Sequence, residues 1–456
     1  MFAARLQSFG ERLALVLEDG RTLTYAQLAQ RADDVYVGAA IPLGALVAIE
    51  CENTLASVAA YLGALRNGYP ALLVDAQLDE QLRRRLYDHF DVSHVHDSGG
   101  NWISLGRPAP EVHPDVAVLL STSGSTGSPK LVKLTAANLD ANAASIVHYL
   151  ELGPEERPIT SLPIHYSYGL SVLNSHLSVG ATVLLTGQPV TARKFWDLFR
   201  EHGATSLAGV PTIYSMLKQL RFERMELPSL RTMTQAGGRL GPDMTRWFGE
   251  LAQSRNQRFF VMYGQTEATA RISYVPPHKL PEKIGSIGVA IPGGKLEIIG
   301  EDGNVTSAFG ETGELRYTGP NVMMGYANDV EDLAEPDALN GVLLTGDLAM
   351  RDEDGFFHIV GRIKRFIKVF GNRIGLDEVE MQLRDDGYDV AVTGRDDLLV
   401  IAVRGGNEDT KDKLTAHASA RYRLHRSAIR VHAVEDFPLS TAGKVQYAEL
   451  LAALCP

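Results

Sequence analysis

Cysteine is almost missing from this chain. Its two thiols, Cys51 and Cys455, stand at opposite ends of 456 residues, and two thiols make neither a disulfide framework nor a zinc quartet. One buried thiol and one near a fraying terminus are expected. A basic excess is missing too. The 44 Lys and Arg against 55 Asp and Glu give a net charge of −11, a field that repels a polyanion and disfavours a nucleic-acid partner. No run approaches the ~20 apolar residues that a membrane helix needs, so no stable membrane insertion is expected. Arg5, Glu11 and Arg12 interrupt the apolar core that a secretory leader would need, which points to a cytoplasmic protein.

Several catalytic signatures are absent by count. No two of the 43 glycines stand two apart, so the dinucleotide fingerprint GxGxxG cannot occur. No two of the 13 histidines are four apart, which removes HExxH, and no GxSxG elbow is present. The Walker loop needs GxxxxGK before Ser or Thr, whereas Gly124 and Lys130 frame STGSP without the second glycine in place. Repeats and low-complexity tracts are absent as well.

What the chain has is length enough for two or more domains and layered patterning. Residues 45–50 predict a strand, 54–67 a helix capped by Thr54 or Asn53 and stopped by Gly68, and 70–75 a second strand. That β-α-β order favours parallel pairing. From 160 to about 300 strands and helices alternate again, and from about 296 to 360 short strands and turns predict a β-rich meander. After Gly361-Arg362 a basic stretch, a helix over 376–384 and a strand over 398–403 predict a small α+β domain ending in the polar loop 439–444.

Residues 120–131, LSTSGSTGSPKL, put six hydroxyl side chains, two glycines and one lysine in twelve positions. The strand 116–120 precedes this run, the extended segment 130–134 follows it, and helix starts only at Ala136 behind Thr135. A solvated linker does not normally join two strands of one core. A phosphate cradle does, because glycines turn N–H groups inward, hydroxyls add donors and lysine supplies a point charge.

Thr122-Ser-Gly-Ser-Thr-Gly-Ser-Pro-Lys130 resembles the phosphate loop of the adenylate-forming superfamily. Gln235-Ala-Gly-Gly238, Tyr263-Gly-Gln-Thr-Glu267, Gly313-Glu314, Thr345-Gly-Asp347, Gly361-Arg362 and Pro438-Leu-Ser-Thr-Ala-Gly-Lys444 continue the resemblance in order. It implies an α/β fold. A large N-terminal adenylation domain, residues 1–361, would hold layered α/β subdomains and a β-rich subdomain. A hinge at 362–364 would join it to a small mobile α+β domain, 365–456. It also implies ATP and Mg²⁺ as cofactors, activation of a small-molecule carboxylic acid as acyl-AMP with loss of pyrophosphate, and transfer to a thiol.

Residue by residue, the resemblance assigns Thr122, Ser123, Gly124, Ser125, Thr126, Gly127 and Lys130 to the β- and γ-phosphates. Gly237, Gly238, Arg239, Gly264, Gln265 and Ile359 would complete the nucleotide site, with Tyr263 stacked on adenine and Asp347 accepting the ribose hydroxyls. Thr266 would bond the α-phosphate and Glu267 would hold Mg²⁺. Arg362 would contact ribose or phosphate, and Lys444 would reach the reacting carboxylate and α-phosphate. Lys364 occupies the hinge position, and the stretch around Lys368 and Gly371 would face the acceptor's pantetheine arm after the small domain rotates.

The acid pocket would be walled by His165, Tyr166, Gly209, Gln235, Met262 and Arg271. Residues 162–170, LPIHYSYGL, hold no acid, which favours a fatty or aryl acid over an amino acid. The family places an aromatic before the histidine. Here His165 precedes Tyr166, so either of them gates the pocket or His165 only packs. Arg271 would meet a second carboxylate or an acceptor phosphate, or else form a surface salt bridge. No carrier domain is recognised in the sequence, so the acceptor is expected to be CoA or the phosphopantetheine of a free-standing acyl or peptidyl carrier protein. Amino-acid adenylation and transfer to an amine are the alternatives.

Overall fold

The structure, a computed structural model, describes residues 1–121, 130–306, 308–363, 365–369, 372–422, 424–440 and 444–455. The expected loop residues 122–129, the hinge residue Lys364 and Gly371 lie outside the described residues.

One layer is a mixed seven-stranded sheet. Its spatial order is Gly325–Ala327, Leu131–Thr135, Val116–Ser121, Ala71–Asp75, Val47–Cys51, His94–His96 and Trp102–Ser104. Val47–Cys51 and Ala71–Asp75 pair in parallel, joined by the helix Leu55–Asn67. Thr54 caps that helix by accepting from the Ser57 N–H, and Gly68 ends it in the left-handed region at φ 74°. Val116–Ser121 and Leu131–Thr135 pair antiparallel with Ser121 opposite Leu131, so two paired strands flank the expected phosphate loop. The next helix, Ala136–Leu150, starts behind a capping box at Thr135.

A nine-stranded sheet follows. It is parallel through Pro158–Ile159, Ser206–Gly209, Thr232–Gln235 and Arg258–Tyr263. The helix Ser167–Ser178 lies between the two sheets and is buried nearly all round. Its Leu170, Leu173 and Leu177 join one apolar cluster with Val118, Leu120 and Val132 of the first sheet and Leu15, Val183 and Leu185 of the second. The expected meander is a five-stranded sheet from Lys295–Ile299 to Phe357–Arg362.

Beyond Arg362 the chain makes a two-stranded hairpin, Phe366–Val369 with Asn372–Gly375, and then a three-stranded sheet flanked by the helices Leu376–Asp385, Glu408–Tyr422 and Tyr447–Leu454. One expectation is corrected here. Cys455 is not at a frayed end: it is buried against Leu398 and Val400, where the last helix covers the sheet.

Candidate active site

The strand Arg258–Tyr263 delivers the Tyr-Gly-Gln-Thr-Glu run to the carboxyl edge of the nine-stranded sheet, where Thr266–Ala268 make one tight turn. Gly264 is required there by close approach, since a Cβ would collide with the Ala270 carbonyl oxygen. The Thr266 hydroxyl shares a 3.1 Å hydrogen bond with Ser167 Oγ at the start of the buried helix. Glu267 Oε1 accepts a 2.7 Å bond from the Tyr326 hydroxyl, and Lys130 Nζ stands 3.1 Å from the centre of the same ring. Tyr326 thus connects the lysine of the expected phosphate loop to the expected metal ligand.

Tyr326 was not among the residues singled out by sequence. It sits in a three-residue edge strand and reaches the site only because that strand pairs with Leu131–Lys133, Tyr326 opposite Val132. No local motif announces such a partner. Burial, then the Glu267 charge, push its phenol well above the ordinary tyrosine range.

Asp347 follows Gly346, whose φ of 74° turns the strand Val342–Arg351. Glu314 holds that turn by accepting from the Gly346 N–H at 3.2 Å, and the Thr345 hydroxyl ties it to the Leu315 carbonyl at 2.8 Å. The Asp347 carboxylate accepts from Arg362 Nε at 2.6 Å and from the Tyr263 hydroxyl. Tyr263 is raised well above its usual range, by burial first and then by Asp347, and Asp347 in turn raises Arg362. Two bonds do not exhaust the lone pairs of a carboxylate, so Asp347 keeps acceptor capacity for a ribose. Ile359 lies half-buried nearby, paired with Ala349.

Lys444 enters this cleft from the far end of the chain. Its backbone pairs with Ser440, and its ammonium lies 5.6 Å from the centre of the Tyr166 ring. The residue is exposed overall. Crowding around its ammonium, then the charge of Arg362, lower its pKa, while Glu267 and Asp347 oppose the change.

The order His165-Tyr166 resolves into two directions. Tyr166 faces the cleft, where a Cβ at Gly237 would collide with its hydroxyl. His165 turns away, its Nε2 3.7 Å from Asp75, and burial keeps it below the usual histidine range against the pull of that carboxylate. Gln235 is buried and donates to the Gly238 carbonyl at 2.8 Å, which shapes the glycine pair. Gly237 has φ 84°, and a Cβ at Gly238 would press on Pro211. Gly209 is needed because a Cβ there would stand 2.8 Å from the Tyr214 ring. Arg239 reaches Asp385 of the helix Leu376–Asp385 at 3.5 Å, a contact between the large and small parts of the chain.

Arg271 departs from the surface salt bridge left open above. It is 1% exposed. Nε donates to Ser171 Oγ at 3.2 Å and Nη1 to Met262 Sδ at 2.7 Å, while the guanidinium carbon lies 4.1 Å from the centre of the Tyr168 ring.

The residues fit a nucleotide and a divalent cation. Gln265 Nε2 is buried with no hydrogen-bond partner among the described residues, an unmet donor beside the expected phosphate position. Gln235 pairs with Val261, so the glycine pair and Tyr263 leave adjacent strands at the same end of the sheet. Glu267 offers a hard carboxylate oxygen, which suits Mg²⁺ shared between one carboxylate and substrate phosphates. No helix is long and apolar enough to cross a membrane among the described residues.

The family model described as AMP-binding enzyme matches residues 93–327. The chain is 32% identical over 352 residues to the indoleacetate–CoA ligase of Aromatoleum aromaticum, covering 74% of this chain and 67% of that one. It is 28% identical over 495 residues to the oxalate–CoA ligase of Arabidopsis thaliana, covering 96% and 95%. The Bacillus subtilis o-succinylbenzoate CoA synthetase, solved with its acyl-adenylate intermediate, superposes with a TM-score of 0.82 at 24% identity over 98% of this chain and 97% of that one.

Proposed function

The chain belongs to the AMP-binding enzyme family, and from that premise we propose that it is an AMP-forming ligase joining a small carboxylic acid to CoA. In the first half-reaction the acid's carboxylate oxygen attacks the α-phosphorus of ATP, the α–β bridging bond breaks, and pyrophosphate leaves. In the second the thiol sulfur attacks the acyl carbon and AMP leaves. The observation that carries this reading is convergence: Thr266, Glu267, the Asp347–Arg362–Tyr263 group and Lys444, drawn from residues 263 to 444, share one cleft.

Positioning and charge neutralisation carry most of the first step. Thr266 donates to the α-phosphate, and Lys444 faces the charge that develops on it. Asp347 orients the ribose, itself oriented by Arg362 and Tyr263. Mg²⁺, held by Glu267, supplies charge neutralisation to the phosphate oxygens when bound.

Residues 1–361 hold ATP and acid in this reading. The segment 365–456 carries Lys444 and turns about 362–364 between half-reactions, bringing the stretch at Lys368 and Gly371 to the acceptor. CoA is the favoured acceptor, and a carrier-protein phosphopantetheine would offer the same thiol. A cytoplasmic setting suits the need for ATP. An α-amino acid is disfavoured, because the buried charge at the pocket is the Arg271 guanidinium, which repels an ammonium group.

The test is a pyrophosphate-release screen over fatty, aryl, dicarboxylic and amino acids with ATP and Mg²⁺, repeated with CoA and with hydroxylamine. Release with some acid, and a thioester when CoA is present, is expected. Silence with every acid would overturn the reading.

A further inference from the structure

Arg271 is a cation without an anion. It heads the fully buried side chains of the described residues by size, yet its partners are a serine hydroxyl, a thioether and a tyrosine face, and no ion pair involves it among the described residues. The residues outside the description supply no carboxylate side chain either: they are 122–129, Ser307, Lys364, Phe370, Gly371, Arg423, 441–443 and Pro456. A thioether is a weak acceptor, and an uncompensated buried charge is among the costliest features a core can hold. The charge is felt around it. His176, 3% exposed, is held down to about 4, by burial first, with the Arg271 charge adding to the effect.

The location gives the cation a use. Ser167 and Ser171 stand four apart on the helix Ser167–Ser178. Ser167 bonds the Thr266 hydroxyl at the expected reaction centre, and Ser171 bonds Arg271. Four residues of helix rise roughly 6 Å, so the guanidinium stands about one helical turn from the Thr266 hydroxyl, along the helix that carries both serines. Tyr166, facing Lys444, and Tyr168, under Arg271, make a T-shaped pair with centres 6.3 Å apart between the two cations. A CoA phosphate is a poor match, because the guanidinium is shut away from the surface.

We propose that Arg271 is the receptor for a second anionic group on the acid substrate, so that the enzyme activates one end of a dicarboxylic acid while this guanidinium holds the other. The inference rests on the ligase reading above and names the substrate class of that site. A one-turn spacing suits a chain of about five to seven carbons between and including the two acid carbons. A sulfonate or phosphonate at the far end offers the same charge and separates from a carboxylate only by experiment.

The test compares glutarate, adipate and pimelate with the matched monoacids valerate, hexanoate and heptanoate, plus an ω-sulfonated acid. Wild type, Arg271→Met and Arg271→Lys are each read for pyrophosphate release and for binding by thermal shift. In wild type the kcat/KM of the best diacid is expected to exceed that of its monoacid by about 100-fold or more, a ratio that Arg271→Met collapses and Arg271→Lys partly keeps. The binding shift with the diacid should vanish in Arg271→Met. A wild type that prefers monoacids, or a ratio unmoved by Arg271→Met, overturns the inference while pyrophosphate release still upholds the ligase. Diacid binding that depends on Arg271 without any release upholds the anion site and sinks the ligase. A folding failure of the methionine variant leaves the lysine variant to decide, since a guanidinium that only packs would be replaced by lysine without changing the diacid-to-monoacid ratio.

Discussion

Asp347 and Arg362 face each other directly across an antiparallel strand pair, and their side chains meet at 2.6 Å. The Tyr263 hydroxyl, arriving from the nine-stranded sheet, donates to the same carboxylate. Asp347→Asn keeps the shape and removes the charge. The KM for ATP is expected to rise by about 10- to 100-fold, the range of a lost charge-assisted bond. The Tyr263 phenol should titrate at lower pH than in wild type while staying above free tyrosine, because burial is the larger cause of its shift. Ultraviolet titration beside a Tyr263→Phe control reads this, and an unmoved phenol would disprove the coupling.

Lys444→Ala should leave ATP binding intact and reduce acyl-adenylate formation by roughly three orders of magnitude, as for other groups aimed at developing charge. Pyrophosphate exchange measures adenylate formation and calorimetry measures ATP binding. Near-normal exchange would remove Lys444 from the chemistry.

Tyr326→Phe deletes only the bond to Glu267 and keeps the ring beneath Lys130. The Mg²⁺ concentration for half-maximal rate is expected to rise about three- to tenfold, since loss of an outer partner weakens a metal ligand. The rate at saturating Mg²⁺ should change less. Equal Mg²⁺ dependence in both proteins would separate Tyr326 from the metal.

His176 gives the fold an acid limit. Its pKa falls from 6.5 to about 4 on folding, by burial first and then by the Arg271 charge, with its bond to the Val172 carbonyl opposing. Between those values the unfolded chain binds the proton and the native one does not, so stability falls as pH drops from 6.5 toward 4. The loss is on the order of 3 kcal/mol for such a shift. His176→Asn should flatten this part of a melting-temperature profile against pH, and an equally steep variant would refute the assignment.

Much of this was legible because local physics dominated locally. Thr54, Gly68 and Thr135 bound their helices where the sequence puts them, and the strands on either side of the hydroxyl-rich run pair antiparallel. The motif residues were legible because each loop must present specific chemistry. Tyr326 was not, since it acquires its partner only through tertiary pairing between distant segments. The burial of Arg271 was hidden for another reason: an arginine in a sequence reads as surface, and only the closing of Met262, Tyr168 and Ser171 around it reverses that.

The apolar clusters of residues 367–455 share no member with those of the preceding chain among the described residues. The Arg239–Asp385 pair that spans the two is long at 3.5 Å and solvated on both sides, a kind of contact worth at most about 1 kcal/mol. The Lys444 ammonium, 5.6 Å from the centre of the Tyr166 ring, is a second contact between these parts. In the two-part reading proposed above, the backbone at 362–364 would keep Lys444 near the cleft as a source of local concentration, on the order of millimolar for a short connection. A chain cut there would then be expected to regain activity only when its pieces are mixed near that concentration.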